Sequence, residues 1–591
     1  MLVRSPGFSR SGAPPPCPLA CQSWPSPAKA GTPNQELANA PNLKGEPLRE
    51  IDGGQSLCHF SDKTMPLTSP AKPSNRLLAI LAGGLFLLIA VFHLGSALAG
   101  YCYFRDIHLG TALGYANGRI DLLRPIIVGF NATDTPTAQE LPLWQAAVGL
   151  VFKIAGSRWY GWANLTTLLL FGTCLWPLLR LAQEHLGTRG GWWTVIFFLA
   201  QPLVVLEGGQ AGVDGFCLAI EIWFLYFANR LITTTQWRWW APAVLLGCLA
   251  AVSKLPFFMA AGLCALFLLL SNPGRSRSWR AWLLLASVGL VSGVVFAAWT
   301  KYTDYLLSLA VFPYVELRVG HNQDMVHFYF GNWHERLSPF LWGRGGWRVL
   351  NCTLGSFALV CLPLAGLFTK NSRLAKCLLL GGFVTALVFT FLVLVHRHYY
   401  LMICPAVAIL CGAGMVRLEQ LLPEGLTRTL AFTAGTGAVL ALTVVQGLMG
   451  IKELTYDPYP KEIVAILKQH TKPADRLVIQ GGGWGGYELF ASERKGLSVQ
   501  MPATLTRLCG GESLRRLQSL GFNRLVMLSE SRQIAATQTA NPGGRYQRNK
   551  YPTSVSAVAD AWPIIFQNED ILIKEIPPHG AVESQGEAGN R

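Results

Sequence analysis

The chain has 591 residues, 51% of them hydrophobic and only 14% charged, with a mean hydropathy of +0.33. A soluble globular enzyme carries about 25% charged residues, so most of this chain belongs in a bilayer. The formal net charge of +16 does not argue for nucleic acid, because the basic residues stand in short clusters between apolar runs, where they set membrane topology.

Residues 1–75 are rich in Pro, Ser and Gly and lack apolar periodicity. They are expected to be disordered, or a mis-assigned N-terminal extension, since Met65 opens a short basic leader into the first apolar run. The run 77–99 is long enough to remain a transmembrane helix rather than a cleaved signal. Residues 76–450 read as one polytopic α-helical membrane domain. Further spans are expected at 160–181, 190–207, 214–230, 241–254, 257–271, 281–299, 349–369, 376–395, 399–417 and 428–449, about eleven in all. Most of the fourteen cysteines stand singly in these runs, Cys174 and Cys264 among them, and read as apolar packing residues rather than a disulfide framework.

Charge decides how the brief run 141–155, which carries Lys153, is read. If it does not cross, Arg180/Arg189, Arg230/Arg238, Arg275/Arg277/Arg280, Lys370/Arg373/Lys376 and Arg417/Arg428 all share the cytoplasmic side with the N-terminus. The run is therefore expected to lie at the outer surface or dip partway in, with Trp144 and Trp159 as interfacial anchors. Segments 100–159 and 300–348 become outer loops. From about 451 to 579 helix and strand alternate: an amphipathic helix at 460–470, a strand at 476–480, a Gly-rich turn, helices near 487–494 and 511–520, and a strand at 524–528. This predicts a small C-terminal extracytoplasmic α/β domain, followed by a disordered tail at 580–591.

Ionisable residues at the membrane edge are costly and therefore candidates for function. Arg105 and Asp106 follow the first span; Glu140 precedes Pro142; Glu207 and Asp214 bracket EGGQAGVD; Lys254 sits at the broken junction SKLPFF; His396, Arg397 and His398 open a later span. Each has a plainer reading. Asp106 could end a helix at water, Asp214 could be an N-cap, and Lys254 could snorkel to headgroups. Glu221, seven residues beyond Asp214 on the same helical face, could be a satisfied buried carboxyl. Two His and an Arg at a helix mouth also suit an anion, and an ammonium at a Pro-broken end suits a phosphate.

His321, Asp324 and His327 have plausible metal spacing but no evident fourth ligand, so no metal ligand is assigned. Gly481, Gly483 and Gly486 satisfy GxGxxG after a strand, yet no acidic residue follows where a ribose would be held, and a tight strand-to-helix turn is the better account. The sequons at Asn131, Asn164 and Asn351 are at chance level.

Taken together, Arg105-Asp106 with YAN at 115–117, the Leu141-Pro142-Leu143 helix start, Asp214, the Lys254-Leu255-Pro256 break and HYYLMICPAVAIL at 398–410 resemble the GT-C membrane glycosyltransferases. More closely, residues 77–450 resemble the protein mannosyltransferase and aminoarabinose transferase-like branch that includes the RgtA/B/C/D-like proteins, and the α/β tail is similar to the C-terminal extension that many of them carry.

The resemblance implies an integral membrane glycosyltransferase, a hexosyl or pentosyl transferase, in a bacterial inner membrane. It would move a sugar from a polyprenyl-phosphate donor to a glycan, lipid or protein acceptor on the periplasmic face, with inversion. It also implies that Asp106 activates the acceptor, that Asp214 is the second carboxylate, and that Lys254 with Arg397 and His398 meets the carrier phosphate. Relatives with a Glu-Lys pair use the Lys for phosphate. Here Glu140-Leu141 stands instead, which shifts the burden to Lys254 and Arg397. A divalent cation stays open as a cofactor. Two rivals remain: a lipid-linked sugar flippase, since broken helices also suit carriers, and a surface polysaccharide polymerase or ligase. The lack of an internal repeat and the large outer loops favour the enzyme.

Overall fold

The computed structural model describes residues 75–98, 106–126, 140–309, 323–355, 357–421, parts of 434–449, 459–480, 487–499, 509, 511–528, 559, 562–568 and 571–578. The expectations for residues 1–74, Arg105, His321, the 481–486 glycine turn and the tail at 580–591 lie outside these residues, as do the side chains of Asp106 and Asp324.

Apolar composition over helical lengths makes the first part a helical bundle. Its helices are α1 (Asn75–Leu98), α2 (Asp106–Asn117), α3 (Leu143–Ala155), α4 (Tyr160–Gly172), α5 (Leu175–Leu199), α6 (Pro202–Glu207), α7 (Val213–Thr234), α8 (Trp240–Ser253) and α9 (Leu255–Leu270). They continue with α10 (Pro273–Ser276), α11 (Trp279–Ser308), α12 (Gln323–Phe330), α13 (Trp333–Arg336), α14 (Pro339–Thr353), α15 (Cys361–Leu367), α16 (Arg373–Val388), α17 (Thr390–Val395) and α18 (Cys404–Leu421).

Among the described residues, six helical stretches are long and apolar enough to cross a membrane: Asn75–Leu98, Tyr160–Leu199, Val213–Thr234, Trp279–Leu306, Lys370–Val388 and Arg397–Leu421. Expected spans at 160–181 and 190–207 share one helical stretch, kinked at Gly187, whose φ of 76° leaves the helical region. The expected spans 241–254 and 257–271 are helices of 14 and 16 residues, separated at Lys254, whose backbone is extended. Pro256 lies in the first turn of the second helix, where its missing N–H leaves no helical bond unmade.

One expectation is corrected. Trp144 is not an interfacial anchor: it is fully buried within the protein, and its indole N–H donates to Thr167 Oγ1 at 2.9 Å. An indole needs one polar partner wherever its ring is buried, and a threonine on α4 supplies it as well as a headgroup would.

The last part holds helices α19 (Tyr459–His470), α20 (Tyr487–Ser492) and α21 (Gly511–Ser519) with strands β1 (Arg476–Gln480), β2 (Lys495–Val499), β3 (Phe522–Leu528), β4 (Ile564–Gln567) and β5 (Ile571–Glu575). The sheet order is β2-β1-β3-β5-β4. The first three strands are mutually parallel, and β5 is antiparallel to both β3 and β4. Side chains of β1 alternate faces: Leu477 and Ile479 pack with Ile463 and Leu467 of α19, whereas Val478 packs with Leu514 and Leu517 of α21. Strands β2, β4 and β5 were not expected. Helix α20 packs on α2, and Arg158, just after α3, pairs with Glu493 at 3.5 Å.

Candidate active site

The segment between α6 and α7 is the framework of the site. His93 of α1 donates from Nε2 to Val205 O at 2.7 Å. Asn164 of α4 donates to His93 O and accepts from Ala211 N–H, both at 2.9 Å. A side chain at Gly209 would meet His93 Cδ2 at 2.4 Å, so only glycine lets the chain pass there. This packing buries Asn164, the sequon asparagine, to 1% exposure. It also holds Glu207 and Asp214, both buried, at the two ends of one short segment.

Each of these carboxylates faces a cation from elsewhere in the chain. Lys254 Nζ is ion-paired with Asp214 Oδ1. The break between α8 and α9 gives Lys254 an extended backbone, which takes it out of the helix. Its ammonium also stands 4.7 Å from the centre of the Tyr399 ring. Arg397 Nε lies 4.0 Å from Glu207 Oε1. Arg397 opens the 3-10 turn Arg397–Ile403, where His398 and Tyr399 rings lie 4.4 Å apart and His396 and His398 rings 5.6 Å apart. That turn is anchored from α14. Arg348 Nη1 donates to Leu394 O at 2.9 Å and Val395 O at 2.6 Å, and Tyr400 donates to Leu394 O at 3.3 Å.

The loop after the first span closes on the same place. Leu141 N–H donates to Val252 O at 3.0 Å, which draws Glu140 beside the end of α8. Glu140 Oε1 is 2.8 Å from His108 Nδ1. Gln145 Nε2 bridges them, 3.0 Å from that nitrogen and 3.3 Å from the carboxylate. Tyr329 of α12 lies within electrostatic reach of both Glu140 and Lys254. Burial raises its phenol pKa first, Glu140 adds to the rise, and Lys254 opposes it. Helix α12 therefore contributes to the same centre through Tyr329.

The sequence candidates Glu140, Glu207, Asp214, Lys254, His396, Arg397 and His398 thus lie on elements that meet at one end of the bundle. Asp106 begins α2, two residues before His108. Glu221 is fully buried deeper in α7 with neither oxygen hydrogen-bonded, and it takes no part in these pairs. His327 pairs with Glu335 at 2.9 Å. Among the described residues no group of three His, Cys, Asp or Glu is arranged to hold a metal. Sequence reasoning missed His108, Gln145, Tyr329, Arg348 and Tyr399. Of these only His108 carried a signal, lying in the same short stretch as Asp106.

The arrangement offers two buried carboxylates, each facing a partly exposed cation, together with a carboxylate–imidazole pair. In a water-poor pocket such cations act on an anion more strongly than in water.

Residues 134–302 match the family model described as dolichyl-phosphate-mannose-protein mannosyltransferase. No curated protein matches the chain by sequence. Among solved structures, ArnT from Cupriavidus metallidurans bound to undecaprenyl phosphate aligns with a TM-score of 0.54 and 14% identity, over 85% of this chain and 98% of that one. The apo form of the same protein aligns with a TM-score of 0.54 and 13% identity, over 84% and 98%. The chain is accordingly a polytopic helical membrane protein whose fold is like that of ArnT over most of its length, and whose residues 134–302 are similar to the protein mannosyltransferase family.

Proposed function

We propose that the chain is an integral membrane glycosyltransferase that moves a sugar from a polyprenyl-phosphate carrier to an acceptor on the extracytoplasmic face, with inversion. The setting is a bacterial inner membrane, with the N-terminus cytoplasmic and the α/β domain outside. The observation that carries the reading is the meeting of Asp214–Lys254 and Glu207–Arg397 at one end of a GT-C bundle. The undecaprenyl phosphate held by the similar ArnT structure supports a polyprenyl carrier.

The chemistry follows from charge. An acceptor hydroxyl or amine attacks the anomeric carbon from the face opposite the phosphate. The bond from that carbon to the phosphate oxygen breaks, and its electron pair leaves with the phosphate. The leaving group goes from one negative charge to two, and Lys254 with Arg397 and His398 meets that gain. Fixed cations of this kind stabilise the developing charge without reorganising. Because the leaving phosphate needs little protonation, one carboxylate base suffices. Asp106 takes the acceptor's proton, and Asp214 holds Lys254 in place until the carrier arrives. Glu140 orients His108 at the acceptor side, and Arg105 is assigned to substrate binding by its charge. The polyprenyl tail lies along apolar spans, gaining about 0.8 kcal/mol per buried methylene.

The test is transfer of label from a radiolabelled polyprenyl-phosphate sugar to crude envelope acceptors by the purified full chain. Wild type transfers label, and Asp106→Asn lowers the rate by about 10²- to 10⁴-fold, the usual worth of a general base. Normal transfer by Asp106→Asn contradicts the role of that residue. Binding of the carrier without transfer to any acceptor favours a flippase.

A further inference from the structure

Three neutral polar side chains beside the ion pairs are buried without satisfying their hydrogen-bonding capacity. Gln210 is 2% exposed, and neither its Oε1 nor its Nε2 has a partner. It sits midway between Glu207 and Asp214 on the segment clamped by His93 and Asn164. Ser253 is 2% exposed, its Oγ is unpartnered, and it immediately precedes Lys254. Gln145 uses its amide nitrogen on Glu140 and His108, while its Oε1 is buried and unpartnered. The Leu141 to Val252 bond joins the segments that bear Gln145 and Ser253.

Buried polar groups are nearly always paired, because leaving one unmade forfeits its hydration. Three groups without a protein partner on adjoining segments of one site are available to a ligand that supplies one. That ligand must supply donors for Gln145 Oε1 and Gln210 Oε1, an acceptor for Gln210 Nε2, and either for Ser253 Oγ. A hydroxyl donates and accepts at once, whereas an ammonium only donates.

Resting on the glycosyltransferase reading above, we infer that Gln145, Gln210 and Ser253 form the set that reads the sugar, and that the sugar transferred is a neutral one recognised through its free hydroxyls. The charged pairs then serve the phosphate and the acceptor, and the neutral trio sets donor choice. A site built to bond a hydroxyl rejects the analogue that lacks it far more strongly than an apolar pocket rejects a missing methylene, because its own groups are then left bare.

The experiment compares kcat/KM of the full-length enzyme for a polyprenyl-phosphate hexose, its single-deoxy analogues and an amino-sugar counterpart. The variants are Gln210→Met and Ser253→Ala, the second conservative enough to report if the first does not fold. Wild type is expected to prefer the fully hydroxylated donor over at least one deoxy analogue by about 100-fold. Each variant is expected to lose about tenfold on that donor and to lose its preference at one particular hydroxyl. Binding of the sugar-free carrier should stay unchanged. Equal losses on every donor, unaltered selectivity, or a wild-type preference for the amino sugar overturns the inference while leaving the glycosyltransferase reading intact. Absence of transfer from every donor by wild type overturns both.

Discussion

At the Arg230 end of α7, Glu184 is paired with Arg230 at 2.6 Å and accepts from Asn229 at 2.9 Å. Nearby in the chain, Glu419 is paired with Arg189 and accepts from the Trp193 indole at 2.8 Å. At the Asp214 end, about 24 Å away along the helix axis, the pairs Asp214–Lys254 and Glu207–Arg397 stand among the unsatisfied Gln145, Gln210 and Ser253. In the first region each carboxylate has a cation and a neutral donor on neighbouring helices, which is how a bundle fastens itself. In the second, neutral groups stay open beside buried charge, which is how a site waits for a ligand. Ion pairs alone do not separate the two, and buried nitrogens without a protein partner occur in the first region as well, at His185 Nε2 and Arg230 Nε. The second is set apart by neutral amide and hydroxyl groups, those of Gln145, Gln210 and Ser253, left without one.

That distinction is open to attack by mutation. The largest effect is expected from Lys254→Met, which should lower sugar transfer by about 10³-fold and also destabilise the fold by leaving Asp214 buried without its cation. Adding Asp214→Asn should restore much of the melting temperature but none of the transfer, whereas a structural pair would recover both.

Next comes Glu419→Gln. Breaking that network should cost about 3 to 5 kcal/mol of stability, read as a lower melting temperature, while folded protein keeps the wild-type KM. A change in KM would erase the contrast between the two regions.

A smaller effect comes from the α/β domain. Burial pushes the Glu488 carboxyl from 4.5 up to about 7. The folded state thus holds its proton more tightly than the unfolded chain, so ionisation favours unfolding. Stability is fullest below about pH 4.5 and declines as pH rises to about 7, by about 3 kcal/mol for this group. Glu488→Gln should flatten that part of the pH–stability curve.

The smallest effect is expected from Arg158→Ala. Its pair with Glu493 is exposed on both sides, and loss should cost less than about 1 kcal/mol. A large loss of transfer instead would make the contact between α20 and α2 part of the site.

The charged candidates stood out in the sequence because a carboxylate or ammonium at a membrane edge has few ordinary explanations. Which carboxylate faces which cation was not legible: Asp214 and Lys254 are brought together by two helices folding back, and nothing local to either residue encodes that. Neutral groups such as Gln145, Gln210 and Ser253 carry no signal until burial strips them of water. The helical composition was plain from apolar run length, and the break at SKLPFF separated α8 from α9, but the short helices α15 and α17 were hidden within longer apolar runs. In the last domain, β1 and β3 were visible as apolar runs after amphipathic helices. Strand β2, KGLSV, has too few apolar residues, and β4 and β5 form an antiparallel edge that alternation of helix and strand does not foretell. Trp144 misled because an indole looks the same whether its N–H meets a headgroup or Thr167.

The most direct test of the central claim, that the Asp214 end of the bundle receives a lipid phosphate, is equilibrium binding of sugar-free polyprenyl phosphate to the purified protein in nanodiscs. The account predicts saturable binding that Lys254→Met and Arg397→Met each weaken by about tenfold or more. It also predicts that Arg189→Met leaves binding unchanged and that the uncharged polyprenol fails to compete. Equal affinity in the Lys254 and Arg397 variants, or equal binding of the polyprenol, would contradict it.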